Sequence, residues 1–210
     1  MSTRICIIRH GETDWNQEGR IQGQIDISLN DTGKAQALAM AFNAAHHRFS
    51  AIYSSDLKRT METARALAER EGHEVIPMEG LRERHYGIFQ NVTKHEAGDL
   101  YPEAHALYIN RDLNYNFETG ESLLGFADRV MNTFDWLARH HQNELIAVAT
   151  HAGVLDVIRR IATEKPLQEP RDFHIPNCAL NWFHHDGKGW HLEAWDDHHY
   201  LANVILDSVE

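Results

Sequence analysis

Residues 3–13 read Thr3-Arg-Ile-Cys-Ile-Ile-Arg-His-Gly-Glu-Thr13, and a change of character inside this stretch decides the fold. Up to Ile8 it is a short, largely β-branched apolar run of the length of one buried strand. A permanent cation, an imidazole and a glycine follow at once, and a core strand gains nothing from Arg9 or His10. Open parallel sheets present such residues at the carboxyl ends of their strands, which is where they bind ligands.

The pattern returns further along. Ala51-Ile-Tyr-Ser54 runs into Ser55, and Glu144-Leu-Ile-Ala-Val-Ala-Thr150 runs into His151-Ala-Gly153. Between these runs lie segments of helical period. The first follows the N-cap candidates Asn30, Asp31 and Thr32 and is expected to bury Ala35, Leu38, Ala39 and Phe42; others span residues 57–70, 122–141 and 154–162. A short strand is expected near Val75-Ile76, and residues 81–101 read as irregular chain with one short helix. Residues 178–195 alternate around Gly187-Lys-Gly189, as expected of a hairpin at a sheet edge. Strands alternating with helices predict an α/β fold on a largely parallel sheet, with residues 1–210 as a single domain. Arg9-His10, Ser54-Ser55 and His151 would then meet in one pocket.

Composition narrows the functions available. With 210 residues, 42% of them hydrophobic and only 5 prolines, the chain suits a compact domain. Its apolar runs fall far short of the ~20 residues that span a bilayer. No secretory signal is visible, so a cytoplasmic location without membrane attachment is expected. Acidic residues outnumber basic ones by 31 to 20, a formal net charge of −11, which argues against a nucleic-acid partner. An anionic small molecule would need a local cationic pocket. Cys6 and Cys178 read as buried free thiols. Sixteen histidines include the adjacent pairs His46-His47, His140-His141, His184-His185 and His198-His199. Neighbours on a helix or strand point apart, so these read as solvated surface histidines and no metal site is expected.

Four signatures, the first in two pieces, together carry a resemblance. Arg9-His-Gly-Glu-Thr-Asp-Trp-Asn16 is followed by Gly19-Arg-Ile-Gln-Gly23; Ser54-Ser-Asp-Leu-Lys-Arg-Thr60, Leu81-Arg-Glu-Arg-His-Tyr-Gly87 and Thr150-His-Ala-Gly153 come after it in order. The set resembles the histidine phosphatase superfamily, which includes cofactor-dependent phosphoglycerate mutases and broad-specificity phosphatases. The resemblance implies a three-layer α/β/α sandwich of the phosphoglycerate mutase-like kind and an enzyme that passes a phosphoryl group through a phosphohistidine on His10. It implies that Arg9, Arg59 and His151 hold the phosphate, that Glu83 is the acid and base, and that Thr13, Asn16, Gln22 and the Gly23 backbone give further contacts. No metal cofactor is implied.

These residue types suit the chemistry. Phosphoryl transfer is mainly positioning and charge stabilisation, and guanidinium forks match phosphate oxygens. Neighbouring arginines would also keep the His10 imidazole neutral, and its second nitrogen is expected to donate to a carbonyl in the following loop.

Hydrolysis of a small phosphomonoester is the preferred outcome. The first alternative is a phosphoglycerate mutase using 2,3-bisphosphoglycerate as cofactor, because Arg84, Tyr86 and Lys94 resemble that subfamily's substrate-contacting stretch. Against it, the mutases' paired arginines are matched here only by Arg111. The second alternative is a phosphate-binding module without turnover. Phe89, Tyr101, Tyr108, Tyr115 and Phe117 are expected mostly in the core. The oligomeric state is open, with a homodimer entertained.

Overall fold

A computed structural model describes residues 2–202. The strands are β1 (Thr3–Arg9), β2 (Ala51–Ser54), β3 (Val75–Pro77), β4 (Leu145–Thr150), β5 (Leu180–His185) and β6 (Trp190–Asp197). They form one six-stranded sheet in the order β3-β2-β4-β1-β5-β6. The β2–β3, β2–β4 and β1–β4 pairs are parallel, while β5 and β6 join antiparallel and make the hairpin expected at the edge.

Strand alternation sorts the core into two layers. On β1, Ile5 and Ile7 pack with Val148 and Phe134, whereas Cys6 and Ile8 pack with Ala147, Met40 and Leu67. The first face is covered by α6 (Leu123–His140) and α7 (Ala152–Ala162), and the second by α2 (Asp31–Ala44) and α3 (Lys58–Glu71). Helix α6 begins at Ser122, whose hydroxyl accepts from the Gly125 N–H. Phe134 is fully buried, and truncating it to alanine should cost about 3–5 kcal/mol.

Before α2 comes a single turn, α1 (Asp14–Gln17); between β3 and α6 lie α4 (Lys94–Leu100) and α5 (Pro102–Ile109). A third apolar cluster gathers Phe89 and Phe117 with Tyr86, Tyr101, Tyr108 and Tyr115, so these aromatic residues do form a core of their own.

Two expectations are corrected. Helix α2 buries Gln36, Ala37, Met40, Ala41 and Ala44, while Leu38 and Phe42 are 65% and 70% exposed. Its alanines let it lie close to Ala64 and Ala68 of α3, and the Arg70 guanidinium covers Phe42 from 4.4 Å. Helix α5 was not anticipated: Pro102 opens it, and none of its residues is buried.

Candidate active site

Three strand ends converge. His10 follows β1, Ser55 follows β2 and His151 follows β4. The two imidazoles meet edge to face with centroids 5.4 Å apart, and His151 Nε2 shares a hydrogen bond of 2.9 Å with Ser55 Oγ.

His10 is held in one tautomer. Its Nδ1 donates to the Gly11 carbonyl at 2.7 Å, and because a carbonyl can only accept, the lone pair lies on Nε2. The loop is fixed around it: the Gly11 N–H donates to Thr63 Oγ1 at 3.0 Å, and Asn177 Nδ2 donates to the His10 carbonyl at 2.8 Å. A side chain at Gly11 would strike the Gly33 backbone.

Arg59 stands in the first turn of α3 and is 1% exposed. Its Nη1 and Nη2 donate to the carbonyls of Ile25 and Gly23 at 2.8 and 2.7 Å. Arg9 Nη1 donates to the Ile175 carbonyl at 2.6 Å. Arg9 Nε, Arg59 Nε and His151 Nδ1 are buried with no partner among the described residues. Such orphans are rare in folded chains, and here three nitrogens of this kind belong to residues around one ring.

Glu83 lies on the other wall. Its Oε2 accepts from the Gly153 N–H at 2.9 Å and its Oε1 from the Arg84 N–H at 2.8 Å. Its own carbonyl is held by Gln24 Nε2 and Arg129 Nη2. Arg9, His10, Arg59 and Glu83 line one cleft of about 910 Å³, together with Asn16, Gln22, Gly23 and Tyr86.

Electrostatics follow from burial and neighbours. Loss of hydration, then Arg59, then Arg9, push His10 well below the ordinary 6.5, so it is neutral at pH 7. His151 is lowered in the same way, by burial first and Arg59 next. Burial brings Arg9 and Arg59 down to about 10, which leaves both charged at neutral pH. Burial, then Glu83, raise the Tyr86 phenol.

Three residues of the expected contact set do not line the cleft: His151, which is fully buried, Thr13 and Arg84. Thr13 is fully buried; its hydroxyl accepts from Gln22 Nε2 at 2.8 Å and takes part in a capping box with Asn16. Arg84 donates to the carbonyls of Glu121 and Tyr115 and lies over the Phe117 ring, so it faces a smaller neighbouring cavity.

The family model for the histidine phosphatase superfamily (branch 1) matches residues 5–198. The chain belongs to this superfamily. A metal-independent phosphoserine phosphatase of Arabidopsis thaliana is 37% identical over 205 residues, covering 96% of this chain and 84% of its own. A glucosyl-3-phosphoglycerate phosphatase of Mycolicibacterium vanbaalenii is 36% identical, covering 97% and 98%. Among solved structures, a phosphoserine phosphatase mutant from Entamoeba histolytica in complex with phosphoserine superposes with a TM-score of 0.86 at 26% identity, over 95% and 99% of the two chains.

In this histidine phosphatase, sequence reasoning missed several residues of the site. Ser55 reads in the sequence only as a strand end, and its bond to His151 carries no sequence signature. Asn177 and Arg129 come from segments without a motif. The histidine pairs are also less solvated than expected. His47 packs on Trp182 and His140 on Trp136; His141 accepts from the Tyr53 hydroxyl and donates to Glu144; His184 pairs with Glu193. No group of three or more His, Cys, Asp or Glu among the described residues is arranged to hold a metal ion. Cys6 and Cys178 are buried and free. No helix of the described residues is long and apolar enough to cross a membrane.

Proposed function

We propose that the protein hydrolyses a small phosphomonoester in two steps on His10. Nε2 attacks phosphorus, the P–N bond forms as the ester P–O bond breaks, and Glu83 gives its proton to the departing alkoxide. Water then attacks the phosphohistidine, Glu83 takes back a proton, and the P–N bond breaks to release inorganic phosphate and neutral His10. Glu83 enters the first step as the acid, and the proton it takes from water in the second step restores that form.

The observation that carries this reading is the commitment of His10 Nδ1 to the Gly11 carbonyl beside three buried nitrogens, of Arg9, Arg59 and His151, without partners among the described residues. Arg9 and Arg59 supply positive charge, and the neutral His151 a hydrogen bond, to the equatorial oxygens, with Asn16, Gln22 and the Gly23 backbone at the rim. Thr13 positions Asn16 and Gln22 rather than touching phosphate. These cations do the work that a metal ion does elsewhere, so no metal is required.

Hydrolysis is favoured over isomerisation by Arg111. Its Nη2 and Nε are engaged by Asp156 Oδ2 at 2.7 Å and the Leu167 carbonyl at 2.6 Å, which leaves it no clamp to offer a phosphoglycerate. The relatives named for phosphoserine and glucosyl-3-phosphoglycerate act on carboxylated esters, and we carry that substrate class over to this chain. The two free thiols suit a reducing, cytoplasmic setting.

The test is release of p-nitrophenol from p-nitrophenyl phosphate, with a fall of roughly a thousandfold or more in His10→Ala. Acid-labile label on the wild-type protein from radioactive substrate should be absent from the variant. Isomerisation of 3-phosphoglycerate that outruns phosphate release, with 2,3-bisphosphoglycerate present, would replace hydrolysis by the mutase reading.

A further inference from the structure

The cleft continues past the phosphate cradle. A side cavity of about 290 Å³ opens beside it, and Tyr86, Lys94, Tyr108, Gly153 and Arg171 line both spaces. Gly153 also holds Glu83 Oε2, so the side cavity begins beside the proton donor, where the leaving group departs. Its volume is at the small end for ligand sites and suits a short chain of a few carbons.

The cations at this junction differ in how far they are committed. Arg84 and Arg111 are held by carbonyls and Asp156. Arg171 makes a single hydrogen bond, Nε to Asp156 Oδ1 at 3.2 Å, its guanidinium lies 6.0 Å from the Phe173 ring, and its side chain is 38% exposed. Both its terminal nitrogens are without a hydrogen-bond partner among the described residues, and together they form a fork of the shape that grips a carboxylate. Asp156 anchors that fork and is itself saturated, since Arg111 and Arg160 also bind it. Lys94 makes no ion pair among the described residues, and it occupies the first position of α4, where the helix dipole disfavours a cation. Of the carboxylates on the cleft wall, Glu12 Oε1 accepts from Gln17 and Asn30, while Asp196 Oδ1 lies 2.6 Å from His198 Nδ1 without a hydrogen bond among the described residues. Arg171 also acts on the cleft electrostatically, for its charge depresses Arg9 and opposes the upward shift of Tyr86 and Tyr108.

Resting on the hydrolase reading above, we infer that Arg171, with Lys94 beside it, is the subsite for the carboxylate of the substrate's leaving group. The ester chosen by this enzyme is then one whose alcohol carries an acid group two or three bonds from the phosphorylated oxygen. Arg171 is a specificity residue; it takes no part in moving the proton or the phosphoryl group.

The experiment compares 3-phosphoglycerate with glycerol 3-phosphate, which differ by a carboxylate against a hydroxymethyl group. Wild type should favour the acid, and Arg171→Met should lower the ratio of kcat/KM values for the two esters by about 10- to 100-fold, mainly through KM for the acid. Arg171→Lys keeps the charge beside Asp156 without the fork; it should lower the ratio by at least roughly threefold, and it stands in if the methionine variant does not fold. A wild type with no preference for the acid, a ratio that stays within about threefold in Arg171→Met, or equal losses on both esters overturns the inference. Absence of phosphate release from p-nitrophenyl phosphate by wild type is a separate result, and it overturns the hydrolase reading instead.

Discussion

Replacing Gly153 by alanine probes the proton donor without touching it. Gly153 is the second residue of α7 and has an ordinary helical conformation, so alanine fits the backbone and gains up to about 1 kcal/mol of helix propensity. The new Cβ, however, would come within 3.0 Å of Glu83 Oε1, closer than side chains tolerate, with the Phe126 ring also near. The α7 backbone is anchored by the sheet behind it, so the carboxylate must retreat by roughly 1 Å, and a displacement of that size costs on the order of a hundredfold in a positioned reaction. The loss should depend on the leaving group. p-Nitrophenolate departs without a proton, whereas an alkoxide such as that of glycerol 3-phosphate needs one. Steady-state kinetics on both esters should therefore show kcat/KM falling about 100-fold for the alkyl ester and less than about 10-fold for the aryl ester. Thermal unfolding should occur at or above the wild-type temperature. Equal losses on the two esters, or none, would refute the assignment of Glu83 as the acid.

Other outcomes follow from the same geometry. His10 and His151 are held below 6.5 when folded but titrate near 6.5 when unfolded, so the unfolded state binds more protons and stability falls as pH drops below that value. Urea titrations of His10→Gln between pH 7.5 and 5.5 should therefore show a smaller loss of stability than wild type. Arg59→Met leaves the Gly23 and Ile25 carbonyls without their donor; stability should fall by about 1–3 kcal/mol, and added inorganic phosphate should no longer raise the melting temperature as it does in wild type. Dialysis against EDTA should leave turnover of p-nitrophenyl phosphate unchanged, and a loss restored by a divalent ion would contradict the cationic cradle.

How much of this was legible depended on the kind of signal. β1 and β4 could be read because uninterrupted apolar runs stop at Arg9-His10 and His151, and the site followed from where those runs stop. The buried face of α2 could not, because Ala35, Ala37, Ala39 and Ala41 fit either side; close packing on α3 chose Ala37 and Ala41 and left Leu38 and Phe42 outside. Helix α5 was hidden because its residues pack only partly, so burial wrote no period into them. Thr13 looked like a phosphate contact, yet its hydroxyl is engaged by the residues it was grouped with. Arg171 gave no signal at all: a lone arginine in a polar loop gains meaning only when the fold brings Asp156 and Lys94 around the same space.

The ties between the loop before β5 and the end of β1 have a bearing on how such enzymes diversify. Ile175 accepts from Arg9 and Asn177 donates to the His10 carbonyl, so the loop is riveted to the nucleophile at its last few residues. Upstream of those rivets, residues 163–174 make no hydrogen bond to His10 or its loop among the described residues; their carbonyls are tied instead to Arg111, Arg160 and Trp195. Selection can thus exchange one clientele of esters for another by editing a dozen residues, while the reactive nitrogen stays in register.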